Sequence, residues 1–174
     1  ELPSNTRSTR RPESTGKSEL SSKLAIHYRT IWVPEYARNY LVQISRPYTF
    51  DDIAVIADGQ QALTAQLQSN ARRYLFCDTD PLVTYIWSMF RFGSCDPRVE
   101  DLVESARYDL HLLCDIDVPW EDDPLREHPK ARKELYQMYL AELGRRGMPF
   151  EVVSGLGNDR LKNAISVIES FFRG

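Results

Sequence analysis

The strongest constraint on the fold is an alternation between short apolar segments and longer segments that carry apolar residues at helical spacing. The short segments lie at 30–33, 74–77, 110–114 and 150–153. Alternation of this kind is typical of parallel βαβ units, in which the helices cover the faces of the sheet. The pattern therefore predicts a three-layer α/β domain, with a parallel sheet and helices on both faces.

The longer segments predict helices, because their leucine, isoleucine and aromatic residues recur at three- and four-residue intervals. Thr49 precedes one of these segments and belongs to a residue type preferred at the N-cap. Gly144 and Gly147 are predicted to end another, since glycine is common just past a helix C-terminus. The predicted helices span 16–25, 36–44, 50 to about 70, 80–90, 97–106, 130–143 and 158–172.

Composition excludes several classes of protein. The chain has 174 residues and a net charge of −3, which fits one domain and disfavours a general nucleic-acid or anionic-membrane binder. No apolar run is long enough to span a bilayer, and no secretory signal is visible. The widely spaced cysteines indicate free thiols rather than disulfides, and the histidines lack the spacing of a zinc site. We expect a cytoplasmic protein without nucleic-acid or membrane partners.

The N-terminal end differs from the rest of the chain. Residues 1–12 are polar and contain basic residues at Arg7, Arg10 and Arg11. They predict a disordered or altered tail, and a solvated tail is a simpler interpretation of the arginines than a phosphate contact. The remaining residues, 13–174, are predicted to form one domain.

A partial phosphate-binding motif opens that domain. Gly16, Lys17 and Ser18 fit the end of the pattern G-x-x-x-x-G-K-[ST], but Arg11 stands where the pattern has its first glycine. In such loops backbone N–H groups surround a phosphate, the lysine reaches the β and γ oxygens, and the hydroxyl holds Mg²⁺. No apolar strand precedes the motif, so the first strand of the sheet is predicted to be missing or altered.

Several motifs together resemble a known family. They are PESTGKS at 12–18, VPEYAR at 33–38, FCDTD at 76–80, DLHLL at 109–113 and VPWEDDPLR at 118–126. In this order and spacing, the chain from Pro12 onward resembles the NadR-type ribosylnicotinamide kinase domain, an AAA-like P-loop ATPase family of NAD metabolism. The resemblance implies a P-loop NTPase fold and transfer of the γ-phosphate of ATP, with Mg²⁺, to a ribose hydroxyl of nicotinamide riboside or a similar nucleoside. Arg11 departs from the family pattern.

Site residues are assigned on the motif positions and on their place at strand ends. Glu35 follows one strand and is a candidate base, while Asp78 follows the next and is a candidate Mg²⁺ ligand. The catalytic candidates are Lys17, Glu35, Asp78 and Arg126. Those for nucleotide binding are Glu13, Ser14, Thr15, Gly16, Lys17, Ser18, Arg132 and Arg160. Those for substrate are Glu35, Arg38, Gln60 and Asp80, and those for the metal are Ser18 and Asp78.

Simpler interpretations stay open for most of these residues. Glu35 and Arg38 would also suit a surface ion pair, and Asp78 or Asp80 a helix N-cap. Arg132 and Gln60 would also suit a solvated helix surface. An alternative function is a nucleotide-binding ATPase or regulatory module without small-molecule kinase activity, which Arg11 favours. The kinase hypothesis requires the side chains of the phosphate motif, Asp78 and Glu35 to converge.

Overall fold

The computed structural model describes residues 16–117 and 131–173. The predicted tail, the altered first strand and the candidates Glu13, Ser14, Thr15 and Arg126 lie outside these ranges. The elements are α1 Gly16–His27, β1 Trp32–Val33, α2 Tyr36–Ile44, α3 Phe50–Gln68, β2 Phe76–Cys77, α4 Pro81–Phe92, α5 Pro97–Ser105, β3 His111–Cys114, α6 Arg132–Arg145, β4 Phe150–Val153 and α7 Gly157–Arg173.

All four described strands pair in parallel, as predicted. Strand β1 pairs with β2, with Trp32 opposite Phe76, and β3 pairs with β4, with His111 opposite Phe150. Within the described ranges these are two separate ladders. Parallel strands need crossover helices between them, and α2 with α3, and α6, supply those crossovers.

Two hydrophobic cores place helices on both faces of the strands. One core contains residues of α3, α4, α5 and α6 together with Leu113. The other contains residues of α1 and α7, with Leu112 and Cys114 packed against it. Neighbouring residues of β3 therefore point to opposite faces, as the two-residue period of a strand requires. This arrangement confirms the predicted three-layer fold class. No helix described in the structure is long and apolar enough to cross a membrane.

Helix ends follow local chemistry, with one correction. Thr49 is the N-cap of α3, and its backbone N–H donates to the Asp52 carboxylate at 2.7 Å. The prediction that Gly144 ends a helix is wrong, because α6 continues through it to Arg145. Gly147 has φ +62° and ends the turn: Met148 N–H donates to Leu143 O at 3.0 Å, in the pattern of a glycine C-cap.

Candidate functional site

The start of α1 meets the end of β2. Ser18 lies in the first turn of α1, and its hydroxyl donates to the Asp78 carboxylate. Asp78 directly follows β2, and its backbone N–H donates to the Val33 carbonyl at 2.9 Å, which extends the pairing with β1. Because β1 ends just before Pro34, the start of α1, Asp78 and the segment around Glu35 lie together at the carboxyl ends of β1 and β2.

The Ser18–Asp78 pair has the donor set of a magnesium site. Asp78 is 9% exposed, and its Oδ1 is buried without a hydrogen-bond partner among the described residues. Mg²⁺ prefers oxygen ligands and is usually held by one or two protein groups together with waters and substrate phosphates. The described ranges contain no group of three or more His, Cys, Asp or Glu that could form an all-protein cage. The pair therefore fits a magnesium–nucleotide site, in which the protein supplies only one or two of the ligands.

Lys17 lies in the negative field of this edge. Burial of the ammonium works against its charged form, but electrostatic attraction to Tyr139, Glu35 and Asp78 prevails and raises the Lys17 pKa to about 12. The side chain is therefore a fixed cation at the N-terminus of α1, where backbone N–H groups also favour an anion. That combination suits a phosphate group.

Glu35 occupies the N-cap position of α2, yet its carboxylate does not cap the helix. Glu35 Oε2 lies 4.0 Å from Nε of Arg38 on the next turn, and both side chains are about one-third exposed. The surface ion pair that the sequence left open is thus present. The ion pair is long, and the Glu35 side chain is partly exposed.

Gln60 lies beneath this segment rather than on a solvated surface. Its side chain is 3% exposed; Oε1 accepts from Tyr36 N–H at 2.8 Å and Nε2 donates to Pro34 O at 3.1 Å. The carboxamide therefore holds the backbone on both sides of Glu35. Direct contact of Gln60 with substrate stays a prediction, as does that of Arg38.

Asp80 caps α4 and also pairs with a histidine that the sequence analysis did not single out. Its Oδ1 accepts from Val83 N–H at 3.0 Å, and its Oδ2 lies 3.0 Å from His111 Nε2. Burial lowers the His111 pKa, but the bond to Asp80 outweighs burial and raises it above 6.5. Asp80 and His111 both line a cavity of about 310 Å³. The cap prediction is confirmed, and the substrate role stays a prediction.

Arg160 ties together the loops that follow β3 and β4. It is 4% exposed; Nε donates to Gly155 O at 2.8 Å, and Nη2 donates to Asp115 O at 3.1 Å and to the Asp117 carboxylate. Asp117 also accepts from Gly155 N–H. Arg160, a predicted nucleotide contact, thus holds the turn after β4 in place, and its contact with nucleotide stays a prediction. Arg132, another predicted nucleotide contact, is the first residue of α6.

One residue that interacts electrostatically with Lys17 is predicted by its helical spacing to lie in the core, and it packs there. Tyr139 lies on α6, and burial raises its pKa to about 12 even though Lys17 favours the ionised form. Its place in the apolar stripe of a predicted helix gave no signal of a site, because periodicity reports the buried face and not what else lies there. The Tyr139 phenol nevertheless interacts electrostatically with the Lys17 ammonium.

Comparisons with known proteins agree with this arrangement. A family model described as an AAA domain matches residues 12–160. The trifunctional NAD biosynthesis/regulator protein NadR of Escherichia coli (strain K12) is 30% identical over 146 residues, which are 79% of this chain and 35% of that protein. Its counterpart from Salmonella typhimurium (strain LT2) is 29% identical over 136 residues, 75% of this chain and 33% of that protein. The chain thus spans about a third of either relative.

Solved structures show the same fold. A crystal structure of NadR protein in complex with NR has a TM-score of 0.79 at 22% identity and covers 91% of this chain and 48% of its own. A second, in complex with NAD and AMP-PNP, has a TM-score of 0.73 at 22% identity and covers 90% and 46%. Because the family model spans most of the chain, the chain belongs to the AAA domain family, and its resemblance to the NadR-type P-loop proteins is confirmed.

Proposed function

We propose that the chain is an ATP-dependent kinase of NAD metabolism. It transfers the γ-phosphoryl group of ATP to a ribose hydroxyl of nicotinamide riboside or a similar nucleoside. The observation that carries the proposal is the convergence of the α1 N-terminus with Asp78 and with Glu35, whose carboxylate does not cap α2. A site that only held a nucleotide would not need a carboxylate within reach of an acceptor hydroxyl.

The chain's own residues supply binding, charge and a proton acceptor. The ribose hydroxyl oxygen attacks the γ-phosphorus, the bond from that phosphorus to the β–γ bridging oxygen breaks, and ADP leaves. Glu35 accepts the hydroxyl proton, and the Lys17 ammonium offsets negative charge on the phosphate oxygens. Mg²⁺, which Ser18 and Asp78 would hold, neutralises charge on the same oxygens when bound.

The relatives support the choice of substrates. The bacterial relatives are named for NAD biosynthesis, and the solved NadR structures hold NR in one case and NAD with AMP-PNP in the other. ATP as phosphate donor and a nicotinamide nucleoside as acceptor are therefore the first pair to test. We also propose the cytoplasm as the location, because the described cysteines are free thiols, which persist in a reducing compartment.

A second candidate is a nucleotide-binding ATPase or regulatory module without small-molecule kinase activity. It is favoured by Arg11, which stands where the phosphate motif has glycine. A side chain at a position that normally requires a tight turn would weaken phosphate contact by the loop backbone. The two candidates differ in whether a nucleoside stimulates phosphate transfer.

The test is a kinase assay on the chain with Mg-ATP, in which ADP and phosphorylated nucleoside are both measured. Reactions contain nicotinamide riboside, another nucleoside or water alone as acceptor. We expect ADP and nucleoside phosphate in equal amounts with the riboside, and a loss of at least about 100-fold in Glu35→Gln, within the range for a general base. Glu19→Gln, a surface change on α1, is the matched control. ADP formation that no nucleoside stimulates would favour the ATPase instead.

A further inference from the structure

One buried side chain holds the backbone on both sides of the candidate base. The Gln60 carboxamide accepts from Tyr36 N–H at 2.8 Å and donates to Pro34 O at 3.1 Å, so its two bonds flank Glu35. Tyr36 is the first residue of α2, and the N–H at that position has no acceptor within its own helix. Gln60 therefore supplies a partner that the helix itself lacks.

The surface of α3 beside Gln60 also accommodates the segment around Glu35. A Cβ at Gly59 would lie 2.2 Å from Tyr36 Cε1, well inside van der Waals contact. The Tyr36 ring therefore lies directly on the α3 backbone, and only glycine leaves room for it there. Gly59 and Gln60 together form a seat for the backbone around Glu35, one by leaving space and the other by hydrogen bonding.

Among the described residues, the Glu35 carboxylate interacts with Arg38 and is attracted by the Lys17 ammonium. The carboxylate makes no capping bond, and its ion pair with Arg38 is 4.0 Å long and partly exposed. The ion pair alone does not fix the carboxylate, so its position also depends on the peptide units before and after Glu35. Errors of about 1 Å in the placement of a reacting group cost on the order of 100-fold in rate.

We infer that Gln60 is a positioning residue that orients Glu35 by fixing the Pro34 carbonyl and the Tyr36 amide. The inference rests on the proposed function, because it assigns Gln60 a part in the placement of the proposed base. The hydrogen bond from the Tyr36 amide to Gln60 can be measured without any substrate. Failure of the kinase assay and failure of this inference are therefore distinguishable.

The first measurement is hydrogen exchange of the Tyr36 amide by NMR. Gln60→Met has a similar shape but no hydrogen-bonding groups, and we expect the amide to exchange at least about 10-fold faster. Gln60→Glu keeps an oxygen that accepts from Tyr36, and it should exchange more slowly than Gln60→Met. The matched control is Gln61→Met, since the Gln61 side-chain oxygen is buried without a partner among the described residues. Unchanged exchange in Gln60→Met would overturn the inference, with or without kinase activity.

The second measurement is a double-mutant cycle on kcat. In the wild-type background we expect Gln60→Met to lower kcat by about 10- to 100-fold, with the KM for ATP and the melting temperature little changed. In the Glu35→Gln background the same substitution should change kcat by less than about 3-fold, because no base remains to be positioned. Equal losses in both backgrounds would show a general structural role and contradict the inference.

Discussion

In the Asp80–His111 pair, burial and the charge of a neighbouring residue have opposite effects on the histidine pKa. Both side chains are 13% exposed, and Asp80 Oδ2 lies 3.0 Å from His111 Nε2. Burial alone would favour the neutral ring, yet the carboxylate keeps the His111 pKa above 6.5. Because the folded pKa is raised, the pair stabilises the fold fully below about pH 6.5, and this contribution is lost as pH rises through the folded pKa.

We predict that Asp80→Asn lowers the pKa of His111 below 6.5. Asparagine still caps α4 well, but its neutral amide no longer attracts the imidazolium, so that burial prevails. An NMR titration of the His111 ring measures the pKa directly. The rise in stability that the wild type shows on acidification toward pH 6.5 should also be absent from the variant. A His111 pKa that stays above 6.5 in Asp80→Asn would show that another group holds the proton.

At the scale of elements, two helical glycines with different surroundings distinguish the effect of side-chain packing on stability from the effect of helix propensity. Gly59 lies in α3 with the Tyr36 ring against its backbone, whereas nothing would lie within 4 Å of a Cβ at Gly144 in α6. Alanine is favoured over glycine in a helix interior by about 1 kcal/mol. The intrinsic preference is the same at both positions, so that any difference between them reports the neighbours.

We predict that Gly144→Ala raises the free energy of unfolding by about 1 kcal/mol, whereas Gly59→Ala lowers it by about 1–3 kcal/mol through overpacking. Urea unfolding of the two variants, followed by circular dichroism, measures both changes. Each glycine serves as the control for the other. Stabilisation by both substitutions would mean that Tyr36 leaves the α3 surface at little cost, and it would weaken the seat proposed for Glu35.

The same elements show how far sequence reasoning reaches. The apolar segments and the helical spacing predicted every described strand and helix, and the position of Asp78 after a strand placed it beside Ser18. Gly144 was misplaced because a helix tolerates an isolated glycine at about 1 kcal/mol, while the turn chemistry belongs to Gly147.

Contacts between distant segments lay beyond that reasoning. Gln60 was assigned to the substrate or to the solvent, and neither the identity of a polar residue nor its spacing reveals that it binds the backbone 24 residues before it. His111 carried no signal either, because its partner Asp80 belongs to another strand end. Such pairs exist only once the strands and helices have packed.

At the scale of the whole molecule, nucleotide binding should be coupled to stability. A ligand that binds only the folded chain stabilises it by about 2.7 kcal/mol when present at 100 times its dissociation constant. For a chain of this size, each kcal/mol raises the melting temperature by about 2–4 °C. We therefore predict that saturating Mg-ATP raises the melting temperature by roughly 5–11 °C.

Differential scanning fluorimetry with and without Mg-ATP measures this shift. Lys17→Met should abolish it, because the phosphates of the nucleotide then lose the cation that attracts them. Lys23→Met, on the same helix and paired with Glu19, should retain it. An equal shift in both variants would mean that the nucleotide binds elsewhere, and the absence of any shift in the wild type would remove the nucleotide from the proposed site.

The hydrogen bond from Ser18 to Asp78 spans 60 positions of the chain. The candidate site therefore has no local precursor, because its parts belong to α1, the end of β1, the end of β2 and α6, which are far apart in the sequence. A fragment that lacks any of these parts should not bind weakly but fail to bind. Loss of binding and cooperative unfolding should accordingly share one midpoint in a denaturant titration.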